Sequence, residues 1–245
     1  MQLKTLTAIA SFMLVAGSAA VADIVHLPAV IRDFSPTTHP DFEYRIANDR
    51  NLVTTTLGFD GKPVYAGPST GTATTHGPST FNQLYNDVPG INQRTTIMIP
   101  VDNGMPGPGG VYTYTNNSFF PIDNQLLGNE GRSHNYHFTL EMALSFTYQP
   151  GQTFSFTGDD DFWVYINGQR VIDLGGVHTA QTASVNLDTL GLTAGQNYSF
   201  NLFFAERHTS LSKFSMQTSI LLVPTPGAAG VLAIGALAAS RRRRA

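Results

Sequence analysis

The sequence predicts an all-β fold, an antiparallel β-sandwich, and three observations carry that reading. Charged residues make up only 13% of the chain, which is rich instead in Gly, Thr, Ser, Asn, Phe and Tyr. Such a composition suits short strands joined by tight turns. From Phe138 to Tyr148 the even positions are Phe138, Leu140, Met142, Leu144, Phe146 and Tyr148, while Thr139, Glu141, Ala143, Ser145 and Thr147 fill the odd ones. This is the period of a strand with one buried and one solvated face. Finally, Asn167-Gly168 separates two apolar runs, Phe162 to Ile166 and Arg170 to Leu174. Asn-Gly favours the positive φ angles of a type I′ turn, so the two runs form a hairpin.

The same alternation places further strands at Phe154 and Phe156, at Tyr198 to Phe204, and at Phe214 to Leu222. The N-terminal half offers shorter candidates, Thr95 to Val101 and Val111 to Thr115. Long Gly- and Pro-rich loops lie ahead of them at 66–80 and between them at 102–110. No internal repeat or composition break divides the chain, so residues 23–222 are expected to form one domain. It contains no cysteine, which excludes thiol catalysis, Cys-ligated zinc and disulfide bridging together.

Both ends are expected to be helical targeting segments. Lys4, an apolar run and small residues at Ala20 and Ala22 match a secretory signal peptide over residues 1–22, cleaved after Ala22. Residues 223–245 read Pro224-Thr225-Pro226, then an uncharged apolar stretch, then Arg241, Arg242, Arg243 and Arg244. The apolar part is a transmembrane helix of about 20 Å, short for a hydrocarbon core of about 30 Å, and the arginines hold its end inside. This three-part order resembles the PEP-CTERM sorting signals of exopolysaccharide-producing bacteria, with Pro-Thr-Pro in place of Pro-Glu-Pro. The resemblance implies export and sorting machinery as partners, membrane contact before processing, and a cell-surface or extracellular-matrix location. Between the two segments lie all seventeen acidic residues but only nine of the fourteen basic ones, net −8 against −3 for the whole chain. A domain so charged repels nucleic acid and attracts cations.

The stretch that bears most on function is Gly158-Asp159-Asp160-Asp161. Adjacent carboxylates repel one another, and a hard cation such as calcium, which takes six to eight oxygens, reverses the balance. The alternative is a solvated acidic turn with Asp159 capping backbone amides. Beside the turn, Trp163 is either a sugar-stacking platform or part of the core or its rim. His178 is a hydrogen-bonding residue or a neighbour of the metal loop; Glu206 and Arg207 face opposite ways along a strand and each is expected to pair elsewhere, the alternative for Glu206 being to reach a cation in the turn. His134 and His137 have the spacing of a zinc pair on a helix, but ahead of a strand they point to opposite faces. No nucleophile elbow, zinc-protease motif or phosphate loop occurs, so an enzyme is not expected.

Gly158 to Gly168 and Val171 to His178 resemble the fibro-slime domain. So do Ser118 to Asp123, Gly128 to Glu130, His134 to Thr139 and Phe203 to His208. That family is related to the protective-antigen-type β-sandwich of toxins, glycosidases and flocculation adhesins. The resemblance implies calcium held by Asp159-Asp160 or Asp160-Asp161, and sugar hydroxyls held by the calcium; Trp163, His178 and Glu206 are the candidate ligand contacts by their own position near the turn. The function expected is a secreted module for calcium-dependent binding of carbohydrate or exopolysaccharide, or for adhesion. The alternatives are a structural matrix protein without a metal site and, behind it, a polysaccharide-processing enzyme.

Overall fold

The computed structural model describes residues 22–225. The expected terminal helices, Pro226 and Arg241 to Arg244 lie outside the described residues. Among the described residues, β1 (Ala22–Phe34), β2 (Ala47–Asn48), β3 (Val53–Leu57) and β4 (Pro63–Tyr65) come first. A single helical turn, α1 (Pro78–Phe81), precedes β5 (Asn92–Pro106), β6 (Tyr112–Asn116), β7 (Phe138–Thr147) and β8 (Thr153–Asp159). The chain continues through β9 (Asp161–Ile166), β10 (Gln169–Leu174), β11 (Gly176–Val177) and β12 (Gln181–Asn186). It closes with β13 (Asn197–Glu206), β14 (Lys213–Thr218) and β15 (Val223–Pro224). No helix of the described residues is long and apolar enough to cross a membrane.

The strands are antiparallel, as expected, but they are not two separate sheets. One layer is ordered β12-β8-β14-β6 and the other β5-β1-β7-β13-β9-β10-β3-β4, and hydrogen bonding continues from one to the other. The join is a single residue pair, Asp102 opposite Thr113. The result is one curled sheet folded around its own inner face, with β10 returning to lie near β12. Strand β15 adds to β7 through Val223 and Pro224, so part of the proline motif sits against the sheet.

The alternation in β7 puts Phe138, Leu140, Met142, Leu144 and Phe146 into the inner core, with Phe154, Phe156, Phe200, Leu202, Phe204 and Phe214 packed against them. Asn167 and Gly168 both have positive φ (52° and 72°), as a type I′ hairpin between β9 and β10 requires. The odd face of β7 is not solvated throughout: Thr139 is fully buried and donates to Leu84 O at 2.6 Å. The reason is a second core on the outer face of the sheet. There Phe34, Phe42, Leu52, Phe81 and Leu84 of the N-terminal half cover Trp163, Tyr165 and Phe203. Each buried Phe or Leu of this cover contributes about 1.5–3 kcal/mol, so the N-terminal half is structural cover.

Candidate functional site

Strand β8 belongs to one layer and β9 to the other, so the three aspartates sit where the chain crosses the mouth of the folded sheet. They do not form a solvated turn: Asp159 and Asp160 are 5% exposed and Asp161 is 0% exposed. Their surroundings differ sharply.

Asp161 is committed to structure. Its Oδ2 accepts from Arg207 Nε at 2.6 Å and its Oδ1 from Gly176 N at 2.6 Å. Arg207, itself fully buried, also donates to Thr74 O (2.6 Å) and Thr74 Oγ1 (3.1 Å). This corrects the expectation that Asp161 is available to a metal, because its charge is already balanced by a guanidinium.

Asp160 accepts from His178 N and from Arg207 N, both at 3.0 Å, and burial pushes its pKa up to about 8. Asp159 accepts from Lys213 N at 2.5 Å, and burial raises its pKa too. Both aspartates line a cleft of about 200 Å³, together with Val177, His178 and the loop from His208 to Leu211. Ile46 and Leu211, both well exposed, form an apolar rim to it. Glu206 ends β13, fully buried, with Ser212 and the His208 main chain as the hydrogen-bonding groups beside its carboxyl. Burial first, and the charge of Asp160 second, push its pKa well above the usual carboxylate range.

Trp163 plays no part in this cleft. It is fully buried in the outer core, edge-on to Phe81 at 6.1 Å, and its Nε1 donates to Asp173 Oδ1 at 3.0 Å. A strand residue next to the turn but on the outer face cannot present a ring to a ligand, so the stacking role is withdrawn. His178 does line the cleft, but its ring nitrogens lie 3.0 Å from Thr179 O and 3.1 Å from Leu174 O. His134 pairs with Asp123 at 2.6 Å, whereas His137 is buried between Glu130 (3.0 Å) and Glu43 (2.9 Å), so the two histidines share no partner.

A hard cation fits this donor set. The cleft offers oxygen ligands, Asp159 and Asp160, and calcium completes its shell with backbone carbonyls and water. Among the described residues, no group of three or more His, Cys, Asp or Glu side chains is placed to hold a metal ion, so main-chain and water oxygens would have to supply the rest of any shell.

Residues 129–224 match the PA14 domain model. The match contains the aspartate turn, Glu206, Arg207 and the loop 208–211, that is, most of the cleft, and leaves out β1 to β6. Over a longer stretch the chain is similar to two Dictyostelium discoideum proteins. It is 43% identical to protein psiR over 209 residues, 79% of this chain and 21% of that protein. It is 38% identical to protein psiC over 232 residues, 87% of this chain and 45% of that one. The chain thus spans less than half the length of these curated relatives. Among solved structures, it is similar to the PA14 domain of an antifreeze protein, MpAFP, at 10% identity and a TM-score of 0.37, covering 84% of this chain and 92% of the other. It is also similar to a PA14 sugar-binding domain from an RTX adhesin, at 10% identity and a TM-score of 0.35, covering 80% and 96%. Neither likeness fixes a residue-level correspondence.

Several residues of the cleft carry no sequence signal of their own. Ile46 and Lys213 lie far from the aspartate turn in sequence, and Arg207 stands next to Glu206 with nothing to mark it as the partner of Asp161.

Proposed function

We propose that the protein is an extracellular binding module that holds a calcium ion at Asp159 and Asp160 and, through it, the hydroxyls of a carbohydrate. The observation that carries this reading is the cleft itself: two buried carboxylates at its wall, and a rim of exposed Ile46 and Leu211. A sugar ring has one face of C–H groups and an edge of hydroxyls, so an apolar rim above a cation suits it. The PA14 match over the residues that build the cleft supports the same reading. The reading is one of binding and adhesion rather than catalysis, with calcium as cofactor, a glycan or exopolysaccharide as partner, and the cell surface or matrix as location. Export, the sorting machinery and a membrane-held intermediate remain part of it through the terminal segments.

A second reading has its own support. Both oxygens of Asp160 accept main-chain N–H groups, which orders the turn without a metal, as a structural matrix protein would need. One experiment separates the two. The purified protein is melted with and without millimolar calcium, then applied to a glycan array with and without chelator. Stabilisation by calcium and chelator-sensitive binding are expected. An unchanged melting temperature leaves the structural reading, and glycan binding that persists in chelator removes the calcium bridge.

A further inference from the structure

The β3–β4 hairpin ends in a tip that takes no part in the aspartate cleft. Gly58 N donates to Lys62 O and Gly61 N to Gly58 O, both at 2.9 Å, while Asp60 Oδ1 accepts from Lys62 N at 3.0 Å. Lys62 Nζ donates to Glu141 Oε1 of β7 at 2.6 Å, which pins the tip to the outer face of the sheet. So held, the turn presents Phe59 entirely to solvent, with Val64 also exposed. Tight turns after α1 bring up Asn82, Tyr85 and Asn86, with Asn82 N donating to Pro78 O at 3.0 Å and Leu84 N to Phe81 O at 3.1 Å. Between the two lies a cavity of about 220 Å³, walled by Asp60, Val64, Phe81, Asn82, Tyr85 and Asn86. Tyr85 is buried, and its hydroxyl has no hydrogen-bond partner, although buried polar atoms are almost always paired. Asn86 Nδ2 donates to Asn82 O at 2.8 Å; among the described residues, Asn86 Oδ1, the carboxamide of Asn82 and Asp60 Oδ2 take no protein partner. Lys62, the cation of the wall, is committed to both oxygens of Glu141 and so is not free for an anion. Carboxamides, a hydroxyl and a carboxylate oxygen match vicinal hydroxyls, which donate and accept at once. Val64 and Phe81 match the C–H face of a sugar ring. The volume falls below the roughly 300–1,000 Å³ of pockets for drug-sized ligands, which suits a single ring.

We propose that this cavity is a second saccharide site, independent of metal and separate from the cleft, which takes one neutral sugar ring with Asn82, Tyr85 and Asn86 on its hydroxyls and Phe59 at its entrance. It does not rest on the cation reading, and its test is made in chelator throughout. A single ring has few atoms to bind with, so the affinity is roughly millimolar, too weak to survive the washing of an array. The probes are the methyl glycosides of glucose, galactose and mannose, with glucuronate as the anionic control. Each is titrated into the isotope-labelled protein while main-chain and carboxamide NMR signals are followed. Shifts at Asn82, Asn86 and the turn from Gly58 to Gly61 are expected from at least one neutral sugar and not from glucuronate. Phe59→Ala and Tyr85→Phe should each weaken that binding about fivefold, the size of one lost ring contact or hydrogen bond. Tyr85→Phe should also leave the melting temperature unchanged or higher, because it removes only an unpaired hydroxyl. Shifts confined to the aspartate cleft, no shift with any neutral sugar, or wild-type affinity in either variant overturns the inference. An equal response to glucuronate overturns it as a site for neutral sugars. None of these outcomes touches calcium at Asp159 and Asp160, which is absent under chelator.

Discussion

Two sides of one turn treat buried acid in opposite ways. On the outer side, Asp161 meets Arg207 at 2.6 Å, and Arg207 is in turn held by Thr74 of the N-terminal cover. On the inner side, Asp159 and Asp160 accept only main-chain N–H groups, from Lys213, His178 and Arg207, and the buried Glu206 has Ser212 and the His208 main chain beside it rather than a cation. A fold can bury a carboxylate either by neutralising it permanently or by leaving it to be neutralised by something else. The outer side does the first and ties two parts of the chain together. The inner side, which opens on the cleft, has the character expected of a site whose positive charge arrives from solution.

The comparison predicts a large asymmetry on mutation. Arg207→Ala leaves Asp161 buried and uncompensated and unties Thr74, so it should cost about 3–5 kcal/mol in urea unfolding. Removing an inner charge by Glu206→Gln should cost little or stabilise the metal-free protein. Equal losses from the two variants would erase the distinction. Smaller, and confined to the crossing itself, is Gly158→Ala. A Cβ there would lie 2.3 Å from Lys213 O, a backbone atom that cannot swing away. Forcing β8 and β14 apart should cost about 1–3 kcal/mol, by analogy with overpacking in a core. Because Lys213 N also anchors Asp159, calcium affinity should fall in the same variant, as calorimetry would show.

The inner core was legible because it is built from strands whose alternation is visible residue by residue, as in β7 and β13. The hairpin was legible because Asn-Gly has one dominant use. The outer core was not, for a physical reason: Phe34, Phe42, Leu52 and Phe81 lie in loops and short strands with no period, and they are buried by a surface distant in sequence. Trp163 followed from that omission. Without the cover its outward face looks exposed, and a ligand role looks reasonable. The site was legible as a string of aspartates but not as a division of labour. Which of them is paired depends on Arg207, 46 residues further on.

Proton linkage offers a gentler probe, and Asp33 of β1 serves as a reference away from the cleft. It accepts from Asn135 Nδ2 (2.9 Å) and Leu127 N (2.8 Å), yet burial raises its pKa from 3.8 to about 6. The folded chain therefore holds this proton more tightly than the unfolded one. Its contribution is fully present below about pH 4 and is lost as pH rises to about 6. Asp33→Asn should flatten that part of the stability profile, measured by urea unfolding across the window. An unchanged slope would assign it to other groups.

Glu43 should show the reverse sign, and the smallest effect. Burial pushes its pKa up, but the hydrogen bonds from His137 and from Thr209 N outweigh that and hold it below the usual range. Its stabilisation is thus present near neutrality and lost as pH falls through the acidic range. The structural role is specific: Glu43 Oε1 lies 2.9 Å from His137 Nε2 and accepts from Thr209 N at 3.1 Å, while Glu43 N donates to Arg207 O at 2.9 Å. Glu43 and Glu130, the two carboxylates on His137, both sit in left-handed backbone (φ 57° and 52°), an arrangement maintained against its own cost. Glu43 thereby fixes the cleft loop from the outside, while Asp160 meets Arg207 N from the inside. Glu43→Gln keeps one acceptor but gives up the charge, so it should cost about 1 kcal/mol at neutral pH. That loss should shrink on acidification. A loss that stayed constant from neutral to acidic pH, measured by urea unfolding, would assign that stabilisation to other groups.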